Sequence, residues 1–533
     1  MHKVYKKDLE NIYPVCRSFI GGYVWGNMID GLKEPVEAKR IIEKVAEESK
    51  KENLASFLPD LARLEWTRHI VSNAEEILPE RGENFDVNPT LEVVHLFWKI
   101  SSVFDPEDNV LVETPDAGEE WVFLWRDSDS GKVNIETALD EELFAVKMVI
   151  DGIDPEEAAI MGEVSADQIY QVLSTVAQKG ILTGPVSQIR RDTTDFPLGE
   201  DTPEKYCKVD TFTLQWHITN ACDLSCRHCY DRTKRSPLKL DEGIKILDDM
   251  KGFCRERHVG GHVCFSGGNP FLSKHFFDLY SDAIERGFST SILGNPVSRE
   301  DLEKLVDIAR PGYFQVSLEG LKAHNDDMRG EGFFSRVIEF LEFLRDFEIS
   351  SAVMLTLTKD NMSAVLPLAE KLRGHTGHFT FNRLSCVGEG ADLQLPSKEE
   401  YASFLKDYVK ASETNSILGF KDNLINIVLH KEESPLFDGC TGFGCGAAFN
   451  FITVLPDGEA HACRKFPSPI GNVLKQSIAG IYDSEEAAKY RKGSSACKGC
   501  SIRPVCGGCL AVASGAGLDV FSEKDPYCFM EKE

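Results

Sequence analysis

The chain has 533 residues, 42% hydrophobic and 27% charged, the composition of a soluble globular protein with room for several cores. Its formal net charge of −27 repels nucleic acid and anionic membrane, which excludes both as expected partners. No apolar run could span a bilayer and MHKVYKKDLENIYPV has no apolar signal core, so a cytoplasmic location is expected, where sixteen cysteines point to metal ligation rather than disulfides.

Residues 1–104 read as a helical N-terminal domain. EPVEAKRIIEKVAEESKKENLASFLPDLARLEWTRHIV has apolar residues at three- and four-residue spacing, and Pro59 suits a helix start. Residues 105–200 read as a winged helix with a linker from about residue 186. The strand-like pieces are NVLVET, EWVFLWRD and VNIE, with a turn at DSDSGK. Three helical patterns follow, with Asp154 and Ser165 as N-caps and Gly152, Gly162 and Gly180 as stops. Winged helices commonly bind DNA. Between Asp105 and Asp167, however, nineteen acids face three bases, Arg126, Lys132 and Lys147, so the phosphate contacts DNA needs are missing. A peptide added at a sheet edge such as EWVFLW is expected instead.

Residues 201–429 alternate strand and helix. DTFTLQWHIT, GHVCFSGG, STSILGN, YFQVSLEG, SSAVMLTLT and HFTFNRLS are the strands, with helical patterns between most of them. Six βα units predict an open, partial α/β barrel. Residues 430–533 hold eight cysteines and little periodicity, a segment expected to depend on metal for its core.

The chemistry begins at CDLSCRHC, just after the first barrel strand, where α/β folds place active sites. Cys222, Cys226 and Cys229 leave one metal position open, as a catalytic centre needs; with His228 available as a fourth ligand, zinc is an alternative reading of the motif alone. At the next strand end, Gly267 and Gly268 allow close backbone approach, and Asn269 offers a polar grip. Ser317 and Glu319, in SLEG, pair a hydroxyl with a carboxylate that suits a ribose diol.

CDLSCRHC, GGNP and SLEG, in this order on successive βα units, resemble the radical S-adenosylmethionine (SAM) superfamily. The resemblance implies that Cys222, Cys226 and Cys229 hold a 4Fe–4S cluster whose open iron is chelated by SAM. It places His228 near the adenine, Gly267, Gly268 and Asn269 at the methionine moiety, and Ser317 and Glu319 at the ribose; Asn269 stands where the family usually has Glu. ILGNPV, with Asn295, resembles another family strand end. Cys445, Cys463, Cys497, Cys500, Cys506, Cys509 and Cys528 are similar in spacing to the SPASM domain, which carries two auxiliary 4Fe–4S clusters. Only two residues separate Cys506 from Cys509, where that family has three. With Cys440 added, the crossed family arrangement implies Cys440, Cys445, Cys463 and Cys509 at one cluster, and Cys497, Cys500, Cys506 and Cys528 at the other. CKGC and CGGC taken alone are equally zinc-ribbon spacings.

Cys16, Cys207, Cys254, Cys264 and Cys386 have no partner at ligand spacing and read as small buried hydrophobes. The winged-helix block resembles the leader-recognition element of enzymes that mature ribosomally made peptides. The expectation is therefore an enzyme with three 4Fe–4S clusters and SAM, its leader bound by the N-terminal half and its electrons drawn from a flavodoxin or ferredoxin. Within the maturases the layout resembles the selenobiotic or thio(seleno)oxazole type. The alternatives are a sulfatase-type formylglycine maturase and a non-enzymatic, zinc-stabilised peptide adaptor.

Overall fold

The structure, a computed structural model, describes residues 4–74, 85–106, 108–127, 130–162, 164 and 166–531. They form two compact units, Met1–Val186 and Ser187–Glu533. Among the described residues no helix is long and apolar enough to cross a membrane.

The first unit opens on the short helix Leu9–Ile12, then helices Pro14–Ile20, Gly22–Asp30, Ala38–Lys51 and Leu58–Ser72. Ile41 and Val45 bury one stripe of Ala38–Lys51, and Pro59 sits at the start of Leu58–Ser72, as the sequence predicts. A three-stranded antiparallel sheet follows: β1 (Glu92–Lys99), β2 (Asp116–Arg126) and β3 (Val133–Thr137). Helices Asp140–Asp151, Pro155–Gly162 and Ala166–Gln178 complete the unit. Gly152 ends the first of these in the left-handed region, φ 66°. The expected cap Ser165 lies outside the described residues.

Two sequence expectations change here. EVVHLFWK, inside the block read as helical, is β1: its β-branched and aromatic residues fit a pleated surface better than a helix. EWVFLW is the central strand rather than an edge. Val122 and Leu124 enter one core while Phe123 and Trp125 enter another, so β2 is buried on both faces and paired on both sides. NVLVET contributes only Val110–Leu111, paired with Phe104–Asp105.

The second unit is built on one nine-stranded sheet. Six parallel strands follow chain order: β4 (Thr211–Thr219), β5 (Gly260–Gly267), β6 (Ser289–Leu293), β7 (Tyr313–Ser317), β8 (Ser351–Leu357) and β9 (His378–Arg383). Helices connect them, as a partial barrel requires. Beside β4 lies β10 (Phe451–Val454), parallel to it, and then antiparallel β11 (Glu459–His461) and β12 (Pro469–Asn472).

Alternation along the parallel strands divides the sheet's faces. Phe212, Leu214, Trp216, Val263, Phe265, Phe314 and Val316 point into the main core. Gln215, His217, His262, Ser291, Gln315 and Ser317 occupy the intervening positions. One face thus packs under the helices and the other is polar.

The last hundred residues depend less on metal than their weak periodicity implies. Ile452, Val454, Ile470, Ile478 and Ile481 join the main core with the barrel strands. Residues 186–206 are likewise no free linker: Ile189 and Arg191 are buried, and Arg191 N–H donates to Cys207 O at 2.8 Å.

Candidate active site

The loop after β4 carries Cys222, exposed, and Cys226 and Cys229, half-buried; none is in a disulfide. Two side-chain donors aim at the sulfurs. Asn295 Nδ2 lies 3.5 Å from Cys222 Sγ, and Arg329 Nη1 lies 3.7 Å from Cys226 Sγ. Burial raises the Cys226 thiol, Arg329 opposes this, and Glu319, Cys222 and Cys229 raise it further. Such a site favours a neutral thiol until metal charge arrives.

The paired glycines anchor this loop. Gly268 N–H donates to Thr219 O and Asn269 N–H to Ala221 O, both at 2.8 Å. A Cβ on Gly267 would stand 2.1 Å from Thr219 O, and one on Gly268 2.2 Å from Ala221 O. The glycines are therefore needed where two backbones touch, with Gly268 N–H engaged by the end of β4 and Asn269 N–H by the cysteine loop.

Asp223, which sequence reasoning passed over, joins three motifs. Its carboxylate accepts from Asn295 Nδ2 at 2.7 Å, Asn269 Nδ2 at 3.3 Å and Arg336 Nη2 at 3.3 Å. This gives a reason for Asn269: an amide can donate to Asp223, whereas a glutamate there would repel it.

Glu319 is fully buried, and its carboxylate is already committed. Oε1 accepts from Arg329 Nε at 3.0 Å and Nη2 at 2.6 Å, and Oε2 from Thr356 N–H at 2.7 Å. In this arrangement it holds Arg329 against Cys226, and a free ribose-binding carboxylate is not what the geometry offers. Ser317 sits half-buried on the polar side of β7. His228 Nε2 lies 3.4 Å from Glu319 Oε1, while its Nδ1 is buried without a partner. Arg329 ends the helix Lys322–Arg329, which the sequence reading missed; HNDDMRG after SLEG was its only signal.

Behind Cys229, the loop is tied to the C-terminal strands. Arg235 Nη1 reaches Asp457 at 2.9 Å and Glu459 at 2.8 Å. Tyr230 Oη lies 3.1 Å from His217 Nε2.

The eight C-terminal cysteines fall into two neighbourhoods. Burial pushes the Cys445 thiol up to about 12, with further rises from Cys509, Cys463 and Cys440. Burial also raises Cys506, with added rises from Cys497, Cys500 and Cys528. A cavity is lined by all four of the second set, Cys497, Cys500, Cys506 and Cys528. Cys509 thus sits with Cys445 and Cys463 despite its shortened spacing. The sets are strapped together: Cys445 N–H donates to Cys506 O at 3.0 Å. Among the described residues no three His, Cys, Asp or Glu side chains converge closely enough for a single ion. Ligands of an iron–sulfur cube each serve a different iron and stand further apart.

These donor sets fit iron–sulfur clusters: three thiols with an open fourth place in the barrel, and two groups of four behind it. The orphaned Asn269 Oδ1 and His228 Nδ1 are buried polar atoms beside the first set, as a bound SAM would need.

Residues 216–372 match the radical SAM superfamily and residues 445–502 match SPASM, an iron–sulfur cluster-binding domain. The AdoMet-dependent heme synthase of Methanosarcina barkeri is 25% identical over 345 residues, 59% of this chain and 95% of that protein. The mycofactocin maturase MftC of Mycolicibacterium smegmatis is 26% identical over 368 residues, 64% of this chain and 87% of that protein. The antilisterial bacteriocin subtilosin biosynthesis protein AlbA of Bacillus subtilis is 25% identical over 313 residues, 55% of this chain and 66% of that protein. Among solved structures, Streptococcus suis SuiB bound to precursor peptide SuiA aligns with a TM-score of 0.49 at 15% identity, covering 77% of this chain and 97% of that one.

Proposed function

We propose that this radical SAM enzyme, with its SPASM domain, matures a ribosomally made precursor peptide whose leader pairs with β3 of the N-terminal unit. The state of the sheet's two edges carries the reading. On β1 the middle of the outward edge is partly taken: Phe97 N–H donates to Asp60 Oδ2 at 2.6 Å, and His95 O accepts from Arg63 Nη1 at 3.0 Å. On β3, Asp127 N–H bonds Lys132 O and Ala138 N–H bonds Trp121 O, so the even-numbered residues face β2. Val133 and Ile135 therefore turn their backbone groups outward, and these meet no partner among the described residues. An extended peptide can add to such an edge by main-chain hydrogen bonds. On the neighbouring strand β2, Trp121 leaves an exposed aromatic surface for side chains.

Two relatives, named as a maturase and a bacteriocin biosynthesis protein, support a peptide substrate. The heme synthase among the relatives offers a porphyrin alternative, and a sulfatase-type maturase offers another. Neither has a use for an open strand edge. The match to a superfamily of enzymes weighs against the non-enzymatic zinc adaptor. The selenobiotic or thio(seleno)oxazole subtype rests on layout alone.

Cys222, Cys226 and Cys229 would hold a 4Fe–4S cluster that, with SAM bound, would supply radical chemistry able to take hydrogen from an unreactive C–H. The chain's own contribution is position and exclusion of water. Arg329, held by Glu319, and Asn295, held by Asp223, orient the sulfurs; the glycine pair keeps the loop on β4.

The test is binding of precursor peptide to the full chain. Ile135→Pro removes an outward donor while leaving the β2 ladder intact. Affinity should fall at least about tenfold with iron content unchanged, a loss of about 1.4 kcal/mol. Unaltered affinity would remove β3 from the docking site.

A further inference from the structure

Two buried arginines beside the auxiliary cysteines have no acidic partner. Arg191 donates from Nη1 to Arg491 O at 2.7 Å and from Nη2 to Cys445 O at 2.7 Å and Phe443 O at 3.1 Å, while its Nε is buried with no acceptor. Its guanidinium lies 4.1 Å from the Phe196 ring and 4.0 Å from that of Phe449. Arg503 donates to Asp195 O at 2.7 Å and Lys492 O at 2.6 Å, and lies 4.4 Å from the same Phe196 ring. Arg191 is 7% exposed and Arg503 4%. Among the described residues neither makes an ion pair with Asp or Glu: Asp195 is taken by Lys498 at 3.3 Å, and Asp525, on the walls of the cavity that Arg503 lines, is taken by Arg383 at 2.7 Å.

Backbone carbonyls and aromatic faces satisfy hydrogen bonds but leave net charge uncompensated, and an uncompensated buried charge costs several kcal/mol. Such a pair is expected only where a negative charge is also buried. The auxiliary cysteines are the candidates. Arg191 bonds the carbonyl of Cys445, in the first auxiliary set. Arg503 shares the walls of the cavity lined by Cys497, Cys500, Cys506 and Cys528. A second cleft has both arginines, Cys445 and Cys497 among its walls. The segment that delivers Arg191 and Phe196 lies before the barrel, outside the residues matched to either domain.

We propose that Arg191 and Arg503 are the built-in counter-ions of the two auxiliary centres, one each, and hold their reduction potentials up. Arg191 serves Cys440, Cys445, Cys463 and Cys509; Arg503 serves Cys497, Cys500, Cys506 and Cys528. A fixed positive charge beside a cluster favours its reduced, more negative form. The inference rests on the assignment of these cysteines to iron–sulfur clusters.

The test is a redox titration of anaerobically reconstituted full-length protein, followed by electron paramagnetic resonance, with iron counted in parallel. Arg191→Met should move one auxiliary signal to more negative potential and leave the other in place. Arg503→Met should do the reverse. Arg191→Lys, which keeps the charge and loses the fork, should stay near the wild-type value, as a merely structural role would not require. Full wild-type iron with potentials unmoved in both methionine variants overturns the proposal alone, as do equal shifts in Arg191→Lys and Arg191→Met. Wild-type protein that binds no more iron than Cys222, Cys226 and Cys229 can hold overturns the cluster assignment and the arginines' role with it. Should Arg191→Met fail to fold, Arg503→Met decides the question at its own centre, and an unmoved signal there overturns the proposal.

Discussion

Arg383 and Asp525 stand 142 residues apart in sequence and form a two-pronged buried ion pair, at 2.9 and 2.7 Å. Arg383 ends β9, and its Nε also reaches Asp422 at 2.7 Å. Asp525 in turn accepts from Cys509 N–H at 2.9 Å. The barrel's last strand is thereby joined to an auxiliary ligand loop. Asp525→Asn keeps the shape and removes the charge, so it should cost on the order of 3 kcal/mol and loosen Cys509. Thermal unfolding and iron content measure both; a variant with wild-type melting and iron would show the pair to be dispensable.

Glu65 gives the N-terminal unit a pH dependence. Its carboxyl accepts from Val15 N–H at 2.8 Å and Cys16 N–H at 3.1 Å, yet burial pushes it up to about 7 from an ordinary 4.5. Between those values the unfolded chain has lost the proton and the folded chain keeps it. Stability from this group is thus full below about pH 4.5 and disappears as pH rises through 7, by about 3 kcal/mol. Denaturant midpoints at pH 5 and 7.5 should differ in that direction, and Glu65→Gln should flatten the difference.

Gly268→Ala is expected to remove the barrel cluster and spare the others. The added Cβ meets Ala221 O at 2.2 Å and must displace the backbone from which Cys222 hangs. Roughly a third of the iron should be lost, with the remainder intact. Full iron retention would mean that the loop can move aside.

Metal content separates iron from zinc across the eleven cysteines. Anaerobic protein should hold about twelve iron atoms and no stoichiometric zinc. Cys528→Ala should lower the count by about four if it belongs with Cys497, Cys500 and Cys506. Zinc in place of iron would return the ribbon reading to favour.

The parallel strands were legible because each is a short apolar, β-rich run bounded by turn residues, from DTFTLQWHIT to HFTFNRLS. The cysteine motifs were legible because ligand spacing is local. Long-range partners were not: nothing near Asp223 announces Asn269, Asn295 and Arg336, and nothing near Arg383 announces Asp525. The central place of EWVFLW is not legible, because alternation reports which positions are buried, and pairing on each side is invisible to it. The hold of Glu319 on Arg329 is equally illegible, because Arg329 closes a helix whose apolar pattern is too thin to detect.

The pairing of β4 with β10 bears on how substrate can enter and leave. Phe451 to Val454 run in register with Thr213 to Trp216, so barrel and C-terminal strands share one hydrogen-bonded sheet with no seam. Prying them apart would break a ladder and expose the core beneath it, which opposes a clamshell opening between the two. Traffic must pass through the loops at the strand ends. The spacing between barrel and auxiliary cysteines should then stay constant through the catalytic cycle, giving electrons a path whose length does not breathe.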